Sequence, residues 1–171
     1  WITGEEERTR TEGYTTDLIT DMAVDWLENR REKERPFLLM YQHKAPHREW
    51  LPPERHYREY IHKNFPEPPT LFDDYRGRKA AQTAEMTIRE HLNWAGDMKI
   101  YPEVMDSLGI PEASFWDKQA FYREVGRQNR EQRAAWDAVY RPMNDTFSMH
   151  YPDMSPEEIT RWRYQRYMQD Y

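Results

Sequence analysis

Arg35-Pro36-Phe37-Leu38-Leu39-Met40-Tyr41-Gln42-His43-Lys44-Ala45-Pro46-His47-Arg48-Glu49-Trp50 holds the only long unbroken apolar run of the chain, then breaks into a loop with two histidines, a lysine and a proline. Phe37 to Tyr41 is apolar without alternation, which predicts a strand buried on both faces, as in a parallel sheet covered by helices. Pro36 suits the first position of such a strand, where its missing N–H does least harm. One strand cannot satisfy its own backbone groups, so its partners are expected outside these residues. Ligands of open parallel sheets bind at the carboxyl ends of the strands, and a cationic loop there suits an anion.

Working outward, the 171 residues are one domain's worth by length. Only 37% are hydrophobic against 33% charged, and the mean hydropathy is −1.17, values that approach those of disordered chains. An aromatic share of 15% with 7 Trp and 12 Tyr argues for order instead, because large rings need burial or a partner. The reading is an ordered, surface-heavy piece of a larger protein. The net charge of −6 is interleaved, with no basic stripe, which points away from nucleic acid. The absence of cysteine excludes disulfides, thiolate metal sites and Cys nucleophiles within these residues. No signal peptide or membrane span is visible, and no membrane partner is expected, but the chain starts at Trp1, so the missing leader decides nothing.

Residues 1–13 read as a polar loop, with Glu5-Glu6-Glu7 a solvated edge. Thr15 or Thr16 offers a cap, Asp17 suits the first turn, and Leu18, Ile19, Met22, Ala23, Trp26 and Leu27 repeat at helical spacing, which predicts a helix over about 16–31. Residues 51–60 read as a short helix led in by prolines, 64–69 as extended and 71–77 as a turn. A helix is predicted over 79–92, irregular chain over 93–111, and interrupted helix over 115–140 ended by Pro142. Ser155-Pro156-Glu157-Glu158 opens a last helix, with a Ser cap, proline at the first position and acids in the first turn.

Gly13-Tyr14-Thr15-Thr16-Asp17-Leu18-Ile19-Thr20-Asp21, the opening stretch through Trp50, and Phe72-Asp73-Asp74-Tyr75-Arg76-Gly77-Arg78 together resemble the middle of type I sulfatases, in particular bacterial members acting on sulfated glycans. The match is densest over 13–78, and 79–171 reads as a helical insertion and connection. The resemblance implies a central fragment of the catalytic domain, an α/β, partial alkaline-phosphatase-like fold with one or few core strands and a mostly helical remainder. It implies sulfate-ester hydrolysis by a formylglycine hydrate, with a calcium ion on the sulfate, a sulfated carbohydrate as substrate and a periplasmic or secreted setting. It makes His47 the catalytic candidate, in contact with sulfate and donating a proton to the leaving oxygen. The modification motif is absent: none of Ser107, Ser114, Ser148 and Ser155 precedes the required Pro and Arg, and there is no Cys. The paired metal ligands of the family also fall in segments not represented here. Calcium and formylglycine are therefore expected from the remainder of the sulfatase domain, and the fragment is expected to be inactive alone.

Weighed residue by residue, His47 stands out because it can both donate a proton and bond a sulfate oxygen. Lys44 offers fixed charge for a substrate anion, with a solvated loop lysine an equal alternative, and His43 ranks below it as a pocket-lining residue. Arg48 and Trp50 read as a surface arginine and a packed ring. Asp73-Asp74 reads as turn chemistry rather than a metal pair. His56 and His62 lack ligands at metal spacing, and His91 and His150 are isolated. A non-catalytic relative that binds sulfated glycans, and a phosphodiesterase or phosphonate hydrolase of the same superfamily, are the alternatives.

Overall fold

The computed structural model describes residues 11–171, so the loop and acidic edge expected before Thr11 lie outside the described residues. The chain divides into two compact units, Trp1–His47 and Arg48–Tyr171.

In the first unit, α1 spans Thr15–Asp25 and runs on as a π-helical turn, Trp26–Arg30, closed by the amide of Arg31 on the Trp26 carbonyl at 3.0 Å. The expected helix is present, but its cap is not the one expected. Tyr14 holds the cap position without a side-chain bond, and the hydroxyl of Thr20 donates back to the Thr16 carbonyl at 2.7 Å. Residues 36–44 then run without helix, strand or turn, and no strand occurs among the described residues. The strand expected over 37–41 is therefore not formed within this chain. Phe37 is 51% exposed, Leu38 85% and Met40 70%, because no strand among the described residues takes up their backbone groups. Two side chains of the run nevertheless rest on the helix: Phe37 meets the ring of Trp26 edge-on at 5.5 Å, and the hydroxyl of Tyr41 pairs with that of Thr20.

The second unit is helical. It contains α2 (Lys79–Thr83), α3 (Pro102–Leu108), α4 (Asp117–Val125), α5 (Arg130–His150) and α6 (Pro156–Asp170), with single 3₁₀ turns at Glu54–His56 and Tyr151–Asp153. Every buried side chain among the described residues lies here. The core gathers Trp94, Met98, Ile100, Tyr101, Met105, Phe121, Trp136, Tyr140 and Phe147. Trp136, Val139, Tyr140, Asn144 and Phe147 form the inward stripe of α5, at the spacing of one helical face.

Four expectations change. The short helix over 51–60 is reduced to a single 3₁₀ turn at Glu54–His56. The helix over 79–92 stops at Thr83. Beyond it Met86 is 85% exposed, and Thr87 binds the Nδ1 of His91 through its hydroxyl at 2.8 Å and its amide at 3.2 Å, a local turn that competes with helix. The stretch 93–102, expected to be irregular, is irregular but wholly buried, and it seats the core. Pro142 lies inside α5 rather than ending it. A proline there leaves the carbonyl four residues earlier without its helical donor, and the guanidinium of Arg58 donates to that carbonyl, on Ala138, at 3.3 Å. The opening of α6 is as expected: the Ser155 hydroxyl and the Glu158 carboxylate cap each other's amides, at 3.3 and 2.7 Å.

Candidate functional site

The loop of interest closes the first unit. The amide of His47 donates to the Lys44 carbonyl at 2.8 Å, folding 44–47 into a turn with a cis Ala45–Pro46 bond and proline third in the turn. Lys44 and His47 are exposed on this turn, and His43, half-buried, precedes them. The ring of His43 stands edge-on to Tyr41 at 4.3 Å. Its Nδ1 is buried with no hydrogen-bond partner, a state that costs free energy until a partner atom arrives. The Lys44 ammonium makes no ion pair among the described residues. The loop is thus positioned from α1 outward: Thr20 holds Tyr41, and Tyr41 holds His43. Sequence reasoning missed both supports, since a hydroxyl pair 21 positions apart leaves no local signal. What the turn offers chemically is a cation, a solvent-facing imidazole and an unsatisfied imidazole nitrogen on one short segment, suited to an anionic group.

In the second unit Arg48 is a surface arginine, as read, but its guanidinium reaches a buried carboxylate. Its Nε donates to the fully buried carboxylate of Asp97 at 2.8 Å, and its Nη2 to the His91 carbonyl at 3.2 Å. The hydrogen bond to Asp97 raises the guanidinium above its ordinary value. Trp50 is packed, as read, edge-on to Tyr167 at 5.1 Å and Tyr171 at 5.7 Å.

Behind Arg48 lies a buried polar framework that the sequence did not announce. Asp117 accepts amides of Trp94 at 3.0 Å, Ala95 at 2.7 Å, Gly96 at 3.3 Å and Ala113 at 3.1 Å. Burial pushes its carboxyl up, and those donors pull it back. Lys99, in the left-handed backbone region at φ 59°, turns its ammonium onto the carbonyls of Gly96 at 3.0 Å and Asp97 at 3.1 Å. Burial drives it below the usual lysine range, against the pull of Asp170 at 3.7 Å. Arg163 lies over the Trp94 ring at 4.2 Å and donates to the Leu92 carbonyl; burial lowers it to about 10. Asn144 bridges Tyr101, Lys99 and Tyr140 at 2.8, 2.9 and 2.8 Å. Gly96 in the turn was the one visible hint. These groups answer one another and hold the buried 93–101 segment, which makes their role structural.

The remaining candidates settle locally. Asp73 and Asp74 accept the amides of Tyr75 and Arg76 at 2.8 Å each, as turn aspartates do. His56 bonds Glu59 at 2.5 Å. Among the described residues no three His, Asp or Glu side chains gather to hold a metal ion.

No protein-family profile matches the chain. It is 38% identical over 160 residues to an N-acetylglucosamine-6-O-sulfatase of Bacteroides thetaiotaomicron, which accounts for 93% of this chain and 27% of that protein. The chain is related to sulfatases. Its fold also matches a solved structure of a protein in complex with its substrate D-glucosamine-2-N,6-O-disulfate, with a TM-score of 0.79 and 36% identity, covering 98% of this chain and 32% of the other. The sulfatase relationship therefore runs along nearly the whole chain, well past the 13–78 block that carried the resemblance. The chain spans between a quarter and a third of the length of these relatives.

Proposed function

We propose that this chain is part of a sulfuric ester hydrolase that removes sulfate from a sulfated, glucosamine-containing carbohydrate. The 38% identity across 93% of the chain with a named N-acetylglucosamine-6-O-sulfatase carries this reading. It favours ester hydrolysis of sulfate over a non-catalytic glycan binder or a phosphodiesterase. In it, His47 faces the ester and gives its proton to the bridging oxygen as the S–O bond breaks, so that an alcohol leaves instead of an alkoxide. Lys44 balances charge on the sulfate. His43 presents its unsatisfied Nδ1 to the same group, where a bond stabilises the complex. The apolar run 37–41 becomes a strand when the remainder of the sulfatase domain supplies its neighbours, which also accounts for the exposure of Leu38 and Met40.

Formylglycine and calcium supply nucleophile and charge neutralisation in this family. Neither is expected from the residues of this chain, which has no Cys and no serine ahead of the required Pro and Arg.

The test is a chimera of the Bacteroides thetaiotaomicron protein in which this chain replaces the matching segment, assayed for sulfate release from N-acetylglucosamine-6-sulfate. Sustained release is expected. A folded chimera that binds the sugar sulfate and releases none contradicts the proposal.

A further inference from the structure

The residues that follow the His43–His47 loop are held one after another. Arg48 places Nε and Nη2 on the two carboxylate oxygens of Asp97, the first at 2.8 Å, and the same Nη2 donates to the His91 carbonyl at 3.2 Å. Glu49 accepts the Arg123 guanidinium through both oxygens, at 3.1 and 2.8 Å. Trp50 meets the rings of Tyr167 and Tyr171 edge-on. The first of these anchors is the strongest. The Arg123 side chain is 50% exposed, so solvent screens its pair with Glu49. The Asp97 side chain is fully buried and is itself fixed by the Asn93 amide at 2.6 Å. A planar guanidinium on both oxygens of a carboxylate fixes direction as well as distance.

We propose that Asp97 is a positioning residue for His47, acting through Arg48. The inference rests on the proposed function, in which His47 donates a proton. Arg48 is peptide-bonded to His47, so their Cα atoms lie about 3.8 Å apart, and a fixed Arg48 limits where the His47 backbone can go. His47 is exposed, so burial within this chain does not hold it. The bonds on either side do: its own amide on the Lys44 carbonyl at 2.8 Å before it, and the Arg48 fork after it. Proton transfer needs the donor within hydrogen-bond reach of the leaving oxygen, and about 1 Å of misplacement costs on the order of 10²-fold. Asp97 exchanges no proton in this role. It keeps the backbone next to the donor in place.

Two measurements test it. In the full 171-residue chain, hydrogen exchange of the His47 amide reads the order of the turn. Arg48→Ala is expected to speed that exchange about tenfold and Arg48→Lys less, while the Tyr140 amide within α5 keeps its rate. In the chimera, Arg48→Ala should lower kcat about 10- to 100-fold on N-acetylglucosamine-6-sulfate and far less on 4-nitrophenyl sulfate, whose leaving group needs no proton. It should add nothing to the loss in His47→Ala. Asp97→Asn, which keeps the shape of the side chain and removes its charge, should repeat the pattern more weakly. An unchanged His47 exchange rate, an acceleration shared by Tyr140, or equal losses on both esters overturns the proposal. A chimera in which His47→Ala costs nothing on the sugar overturns the sulfatase role of His47 instead, and the exchange rates still decide the anchor.

Discussion

At the scale of the residue, Arg48 and Asp97 show a surface arginine answering a carboxylate in the interior. The carboxylate is fully buried and also accepts the Asn93 amide at 2.6 Å. Removing it leaves both donors stranded. Because Arg48 still reaches solvent, Asp97→Ala is expected to cost about 2–3 kcal/mol, at or below the low end for breaking a buried pair. Urea unfolding checks this, and a loss under ~0.5 kcal/mol contradicts it. The same residues mark the limit of what the sequence discloses. His43, Lys44 and His47 were legible because they crowd one short segment in a recognisable motif. Asp97, Lys99, Asp117 and Arg163 were not, because each charge is answered by a group many positions away, as Asp117 is by Trp94.

Among the elements, α5 and α6 illustrate the same division. The start of α6 was readable because a capping box is written in four consecutive residues. The passage of α5 through Pro142 was not, because the compensating donor, Arg58, lies 80 positions from the carbonyl it serves. A double-mutant cycle tests that compensation. Arg58→Ala is expected to cost about 1 kcal/mol in the parent chain and close to nothing in Pro142→Ala, where the restored helical amide takes the Ala138 carbonyl. Equal losses in both backgrounds argue against it. The cap of α6 adds a pH dependence. Hydrogen bonds from the Ser155 hydroxyl and amide hold Glu158 below the usual glutamate range. A lowered carboxylate contributes stability that is full above the unfolded value and is lost as pH falls through the folded one. Amide exchange in the first turn of α6 should therefore lose protection as pH falls through and below the usual glutamate range, beyond the intrinsic rate change, and this loss should vanish in Glu158→Gln.

For the whole molecule, the two units differ in kind. The second holds every buried side chain among the described residues, while the first exposes the apolar run that the sequence marked for burial. Hydrophobicity marked the run as a buried strand, and no strand forms there within this chain, because a strand needs neighbours. An exposed patch of that kind binds apolar dyes. The chain should enhance anilinonaphthalene sulfonate emission, and Leu38→Ser with Met40→Ser should remove most of the enhancement. Emission unaffected by the pair places the exposed surface elsewhere.

In the proposed function, this run delivers His47 as the proton donor to a sulfate ester's leaving oxygen. Leaving-group dependence tests it most directly. In the chimera with the Bacteroides thetaiotaomicron protein, His47→Ala should lower kcat by about 10²–10⁴-fold on N-acetylglucosamine-6-sulfate, whose alcohol needs the proton. It should lower kcat far less on 4-nitrophenyl sulfate, whose phenolate leaves without one. Equal losses on both esters, or no loss on the sugar, contradict the account.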